Sequence, residues 1–353
     1  MRATIHNVAK NAGVSVATVS HVINGTHYVS PELVERVFKA INSLNYQPNK
    51  LARALSRRDI PLLALIVPDI SNPYWSSLTR AVQDITDPYD YSVIVCSSNG
   101  LLEREIRFLR SLSGWVSGLI LHPNHVTQDQ VNQLILNNLP VVILGDFSKP
   151  EKKSLNWDRV IANNRESVQT AIGHLIDLGH RRIAFIQGST GTPSSVKRLA
   201  GFFDAIKLAG LQVDDNLIVQ GDYTRASGRK AMATLLNLSG PPTAVFCAND
   251  LNALGALEEA KIHGCKIPEY ISIVGFDDID EAALASPPLT TVRLPPYEIG
   301  IVAAEKLIER LKGRAEASHI LIEGKLIVRE STAPPRDIDI NRQIKKNKVR
   351  IND

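Results

Sequence analysis

Between Ser15 and Asn24 the chain carries side chains suited to contact with a polyanion. Ser15, Val16, Ala17, Thr18, Ser20 and His21 fall on one side of an expected helix, with Val19, Val22 and Ile23 on the other. A face of small and hydroxyl residues solubilises poorly. It lies flush in a DNA major groove, however, where hydroxyls bond phosphates and methyl groups meet thymine methyls. A second set of residues follows apolar runs of strand length further along the chain. Asp69, Asn72, Tyr74 and Trp75 form one group, and Asp146 and Phe147, Asn249 and Asp250, and Asp277 and Asp278 form others. Arg198 opens a helix after Gly191. Carboxylates and amides beside flat rings suit a sugar, whose hydroxyls take paired hydrogen bonds and whose C–H face stacks on Trp. A single Asp after a strand is more often a helix cap; the convergence at several strand ends marks a site.

Bond-making chemistry has little to stand on. The sequence contains no GxGxxG after a strand, no GxxxxGK[ST], no GxSxG and no HExxH. Gly188-Ser189-Thr190-Gly191 is too weak a loop to count as a phosphate cradle. None of the nine histidines pairs with Cys or Glu at metal-ligand spacing. His174 and His180, in or beside one helix, read as ordinary surface residues. Neither an enzyme nor a cofactor is expected.

The elements that position these residues divide the chain. Thr4 caps an expected helix over 5–12, which Gly13 stops. Ser15 caps a second over 16–24, ended by Gly25, and Ser30-Pro31 opens a third with Ser as cap and Pro in the first turn. Val34, Val37, Phe38, Ile41 and Leu44 give the third helix an apolar stripe. Only Gly13 and Val14 separate the first helix from the second cap, which is the helix-turn-helix layout; a generic three-helix bundle is the plain alternative. From Leu62 the pattern changes. Apolar runs at 62–67, 92–96, 118–121, 141–145, 182–187, 244–247 and 271–275 alternate with amphipathic stretches at 75–86, 103–112, 166–178, 196–209 and 252–263. Strands apolar on both faces, alternating with helices, specify parallel βαβ layers. Two successive runs part near 158–164, which gives two doubly wound subdomains with a cleft between them, lined at the carboxyl ends of the strands.

Charge follows the same division. The 353 residues carry a net charge of +4, yet residues 1–60 hold eight basic against three acidic residues. A small basic module on a nearly neutral body suits a nucleic-acid reader with a separate sensing domain, although a solvated basic surface would look the same on charge alone. An apolar fraction of 44% excludes disorder throughout, and no apolar run approaches the roughly 20 residues of a membrane span. Arg2, His6 and Lys10 interrupt what would be the core of an export signal. Cys96, Cys247 and Cys265 lie far apart without a CxxC, so a reducing cytoplasm is the expected compartment.

VAKNAGVSVATVSHVING, followed by YVSPELVERVFKAINSLNYQPN, resembles the DNA-binding domain of the LacI/GalR family of transcriptional regulators. VPDISNPYW, LGHRRIAFI, RLAGF, PPTAVFCAND, VGFDDI, PPLTTVR and VREST are similar to that family's effector domain, shared with periplasmic sugar-binding proteins, so that the resemblance covers about residues 3–335. It implies base reading by Val16, Ala17 and His21, and phosphate contacts by Thr4, Ser15, Thr18, Ser20 and Asn24. Asn7 replaces the usual Asp, which removes a capping carboxylate.

Residues 46–58 are too short to hold a helix alone and read plainly as a basic linker. The resemblance implies instead a hinge helix that folds on DNA. Leu55 from each of two subunits would wedge between base pairs, Ala52 would allow close approach, and Asn49, Lys50, Arg53 and Arg57 would hold phosphates. In the body the resemblance places Arg198, Asn249 and Asp277 on sugar hydroxyls, with Trp75, Asp146 and Tyr223 lining the pocket beside Asn72 and Tyr74. Asn163 stands where many members carry Asp.

The expected architecture is therefore α/β: an N-terminal three-helix helix-turn-helix domain (1–47), a hinge (48–60), and a periplasmic-binding-protein-like effector domain of two doubly wound parallel-sheet subdomains (61–335). A basic tail (336–353), without leucine or heptad, is expected to be disordered. The expected function is a ligand-responsive repressor, a homodimer on palindromic double-stranded DNA whose effector is a sugar. A purine or a phosphocarrier protein as effector is the alternative within the family. A free-standing solute-binding protein and an NAD-type enzyme are the rivals outside it.

Overall fold

In the computed structural model, residues 3–46, 60–135, 139–148 and 156–335 are described. The chain divides into two units at Ile60 and Pro61.

In the first unit, Thr4 caps α1 (Ile5–Ala12). Its hydroxyl accepts from the Asn7 amide nitrogen at 3.4 Å, and the Asn7 side chain accepts from the Thr4 backbone N–H at 2.9 Å. The amide thus completes a reciprocal capping box, which corrects the expectation that the missing carboxylate costs the cap. Gly13 ends the helix in the left-handed conformation, φ 63°. Ser15 caps α2 (Val16–Asn24) by accepting from Thr18 N–H at 3.0 Å. At α3 (Pro31–Ser43), Ser30 sits at the cap position without a side-chain hydrogen bond, contrary to expectation, and Pro31 supplies the start. Val8, Ala9, Ala12, Val19, Val37 and Ala40 form the core. Phe38, expected in the core stripe, is 50% exposed, because Val37 and Ala40 already fill the space facing α1.

The second unit holds two six-stranded sheets, each the centre of a lobe. The first lobe comprises β1 (Leu62–Val67), α4 (Pro73–Thr86), β2 (Ser92–Ser97), α5 (Leu102–Leu112), β3 (Gly118–Leu121), α6 (Gln128–Leu134), β4 (Val141–Leu144) and β5 (Asp158–Ala162). The chain then crosses to the second lobe. There it builds α7 (Asn164–Asp177), β6 (Ile183–Ile186), α8 (Pro193–Leu208), β7 (Ile218–Val219), α9 (Arg225–Leu236), β8 (Ala244–Cys247), α10 (Asp250–Ile262), β9 (Ser272–Asp277), α11 (Asp280–Leu284) and β10 (Thr290–Arg293). It crosses back for α12 (Pro296–Leu311), which packs on α4, and β11 (His319–Ile322), which pairs with β5. A last crossing ends in β12 (Lys325–Ile327), antiparallel to β10; all other pairings are parallel.

Asn163, at the first crossing, donates to Glu323 at the third (2.9 and 3.1 Å). This residue therefore ties the crossings together and is not among the cleft-lining residues. α9 and α10 touch through glycines: a Cβ on Gly255 would stand 2.0 Å from the Arg225 carbonyl oxygen, so only glycine permits this approach.

His180 is buried, against expectation. It meets Thr243 Oγ1 at 2.9 Å through Nδ1, and Ser272 Oγ and the Ala333 carbonyl through Nε2. His174 is half-buried and meets Thr332 Oγ1 at 3.0 Å. Both rings help hold the 331–335 segment to the second lobe. No helix among the described residues is long and apolar enough to cross a membrane.

Candidate functional site

In the first unit, the residues expected to meet DNA divide by how much of each side chain is committed locally. Ala17 is exposed, and His21 stands half-buried with its Nδ1 3.0 Å from Thr26 Oγ1 and its ring centroid 4.3 Å from that of His27. Val16 differs from expectation: it packs partly against the headpiece core instead of lying wholly outward, because it precedes Val19 by one turn. Thr4, Ser15 and Thr18 use their hydroxyls in caps or in the 2.9 Å Ser15–Thr18 contact, and Ser20 accepts from Asn24 Nδ2 at 3.1 Å. Asn49, Lys50, Ala52, Arg53, Arg57 and Leu55 lie outside the described residues, as does the tail after 335.

Sequence reasoning missed Arg36. From α3 it donates through Nε and Nη2 to the Ala12 carbonyl (3.1 and 2.7 Å) and through Nη2 to Gly13 at 3.3 Å. The guanidinium closes the carboxyl end of α1 at the turn that sets the angle of α2. Arg36→Ala is expected to weaken binding to a specific duplex about tenfold, the loss of one or two charge-assisted hydrogen bonds, with Arg36→Lys partly restoring it. Fluorescence anisotropy on a selected palindrome measures this.

In the second unit, a cleft of about 520 Å³ opens at the carboxyl ends of the strands, between the lobes. All eight residues expected there line it: Asn72, Tyr74, Trp75, Asp146, Arg198, Tyr223, Asn249 and Asp277. Asn72 caps α4, its Oδ1 accepting from Tyr74 N–H at 3.0 Å, which sets the two rings that follow. The Tyr74 hydroxyl is driven up from its ordinary pKa by burial and then by the Asp277 charge. Trp75 packs against Tyr74 edge-on, with centroids 4.9 Å apart, and against His122 at 4.7 Å. Phe147 instead joins the core of the first lobe, while Asp250 is buried beneath the cleft, taking hydrogen bonds from Ile279 N–H and Thr291 Oγ1. Asp278 pairs with Arg293 and Arg329.

Arg198 lies in the second turn of α8, since that helix begins at Pro193. Its Nε donates to Asn164 Oδ1 at 2.8 Å and its Nη1 to the Ala248 carbonyl; its carbon lies 3.8 Å from the Phe276 ring centroid. Nη2 reaches only to 3.8 Å from Asp277 Oδ1. Asp277 has positive φ, 118°, at the end of β9, and among the described residues its buried carboxylate accepts no hydrogen bond. Burial raises its pKa to about 7, since desolvation outweighs the pull of Arg198. Asn249 caps α10 through Oδ1 and donates from Nδ2 to the Tyr223 carbonyl at 3.0 Å.

His122, Asn124, Asn164, Ser194 and Lys197 also line the cleft and were not anticipated. His122 follows β3 as Asp69 follows β1, so the strand-end rule applied to that strand would have found it. Its Nδ1 lies 2.7 Å from the Leu144 carbonyl oxygen, so that nitrogen carries the proton. Burial lowers its pKa to about 4, and the neutral ring leaves Nε2 as a bare acceptor. Asn164, Ser194 and Lys197 carried no sequence signal, since the lobe crossing and the turns of α8 aim them.

The lacI family of bacterial regulatory proteins matches residues 4–49, and a periplasmic binding protein-like domain matches residues 172–332. The catabolite control protein A of Priestia megaterium is 34% identical over 335 residues, which covers 94% of this chain and all of that protein. A solved transcriptional regulator CelR–cellobiose complex shares 31% identity at a TM-score of 0.70, covering 94% of this chain and 100% of the other. The lac repressor dimer bound to operator and an anti-inducer shares 28% identity at 0.78, again over 94% and 100%. The chain belongs to the LacI family, as a DNA-binding transcriptional repressor with an effector-binding domain and not an enzyme.

Proposed function

We propose that this repressor binds a palindromic operator as a homodimer in the cytoplasm, and that a neutral sugar in the interlobe cleft controls its affinity. The observation that carries the effector reading is the Asp277 carboxylate, buried, accepting no hydrogen bond among the described residues, and 3.8 Å from Arg198 Nη2. An acceptor-only group facing a donor fits adjacent hydroxyls, which donate to one and accept from the other. His122 Nε2 adds an acceptor from the opposite lobe, and Trp75 supplies a flat face for C–H stacking. Cellobiose in the solved CelR complex supports the same class of ligand. On DNA, His21 and Ala17 read bases while the surrounding hydroxyls and Asn24 hold phosphates. Ligand binding shifts the population of the DNA-competent form by no more than its differential affinity for the two states.

Titration calorimetry with D-ribose, D-glucose and cellobiose, and in parallel with hypoxanthine and guanine, tests the effector class. Heat with at least one sugar and none with the bases is expected. Heat with a base alone would transfer the site to purines, and silence from all five would remove the small-molecule reading for these classes.

A further inference from the structure

Asp146 and Lys197 face each other across the cleft from different lobes. Asp146 follows β4 in the first lobe, and Lys197 stands in the second turn of α8 in the second. The Lys197 ammonium donates to Asp146 Oδ2 while Arg159 Nη2 donates to Oδ1. Both carboxylate oxygens are therefore engaged, one within the lobe and one across the gap. The acid side chain is 20% exposed and Arg159 15%, whereas Lys197 is 42% exposed. Arg159 already neutralises Asp146 from its own sheet, so the lysine is not needed to satisfy a buried charge.

We propose that Lys197 is a positioning residue for the effector cleft: through Asp146 it holds the two lobes together by a contact of the chain's own. This deepens the effector reading above and rests on it for its consequence, that the effector adds to a closure already favoured. The strength follows from exposure. A pair this open to water contributes modestly and is screened by salt, corresponding to a shift of about two- to fivefold in the ratio of closed to open forms. A shift of that size sets how much of the population is ready to respond without gating it absolutely.

The full chain, with Cys96→Ser and spin labels at Glu103→Cys in the first lobe and Lys261→Cys in the second, reports lobe separation by pulsed electron resonance without any effector. Lys197→Met is expected to lower the ratio of closed to open forms in the distance distribution by about two- to fivefold, and Lys197→Glu, which sets like charges opposite each other, by more. Lys197→Arg should restore the distribution. Raising salt from about 0.05 to about 0.5 M should open the parent protein and leave Lys197→Met unmoved. Equal melting temperatures identify folded variants, and a loss of packing alone would not follow charge or salt. Unchanged distances in both Lys197→Met and Lys197→Glu, or equal salt responses in parent and Lys197→Met, would overturn the latch. Such a failure leaves the sugar titration untouched, and silence in that titration leaves the distances readable, so the two readings fail separately.

Discussion

Arg198→Ala is expected to lower affinity for a sugar in the cleft by about a hundredfold or more, while affinity for a specific DNA duplex without effector stays within about twofold. The guanidinium is 8% exposed and does three things at once. It donates to Asn164 and Ala248, it faces Asp277, and it stacks on Phe276. Truncation removes the donor proposed for the ligand and leaves two acceptors and a carboxylate without their cation. Breaking a buried charged arrangement from one side costs on the order of 3–5 kcal/mol, part of which will appear as a lower melting temperature of the second unit. The residues proposed to contact DNA lie on α2 in the other unit, which carries its own core, so the loss should be confined to the response. Calorimetry with the sugar that binds the parent protein, and anisotropy with a labelled duplex, separate the two quantities. Sugar affinity unchanged in Arg198→Ala would take this residue out of the site.

The second large effect is on pH. Burial pushes the Asp277 carboxyl up to about 7, against the pull of Arg198. Hydroxyl donors favour its ionised form, so its pKa in the complex lies below that value. Affinity should be full above pH 7 and fall as pH drops through 7 toward the bound pKa, by up to about tenfold per unit. Binding below pH 7 should release up to one proton, visible as a dependence of calorimetric heat on buffer ionisation. His122, near 4, stays neutral across the range and does not add to the slope. Asp277→Asn should remove the dependence along with much of the affinity. A flat profile between pH 5.5 and 7.5 would show that the ligand does not draw on this carboxylate.

Much of the architecture can be read from local pattern, and the exceptions have physical causes. The runs at 62–67, 118–121 and 244–247 are apolar on both faces because helices cover both sides of the sheets, and they appear as strands at the same positions. β5 escapes notice because it begins Asp158-Arg159. Its aspartate is fully buried only by virtue of Arg310, Arg314 and Ser318 N–H, which arrive some 150 residues later. β11 and β12 are short edge strands placed by crossings, with no periodicity of their own. α9 hides because glycine and alanine let it nest against α10. In the cleft, strand-end polar residues were legible because parallel sheets collect them on one edge. Groups brought in from a helix flank, Lys197 above all, depend on how the lobes meet, which no local window encodes.

The pairing of β11 with β5 also bears on the order of assembly during synthesis. The first lobe's sheet gains its outer strand only when residues 319–322 are available, after the whole of the second lobe's parallel sheet has been made. Until then the flank of β5 presents unpaired backbone groups, a surface to which a second nascent chain can add. The three-helix unit, by contrast, draws its core from residues of its own first 46 positions. A chain truncated near residue 310 would therefore carry a folded three-helix unit beside an unfinished receiver, which makes quality control of truncated products a matter of regulation as well as of solubility.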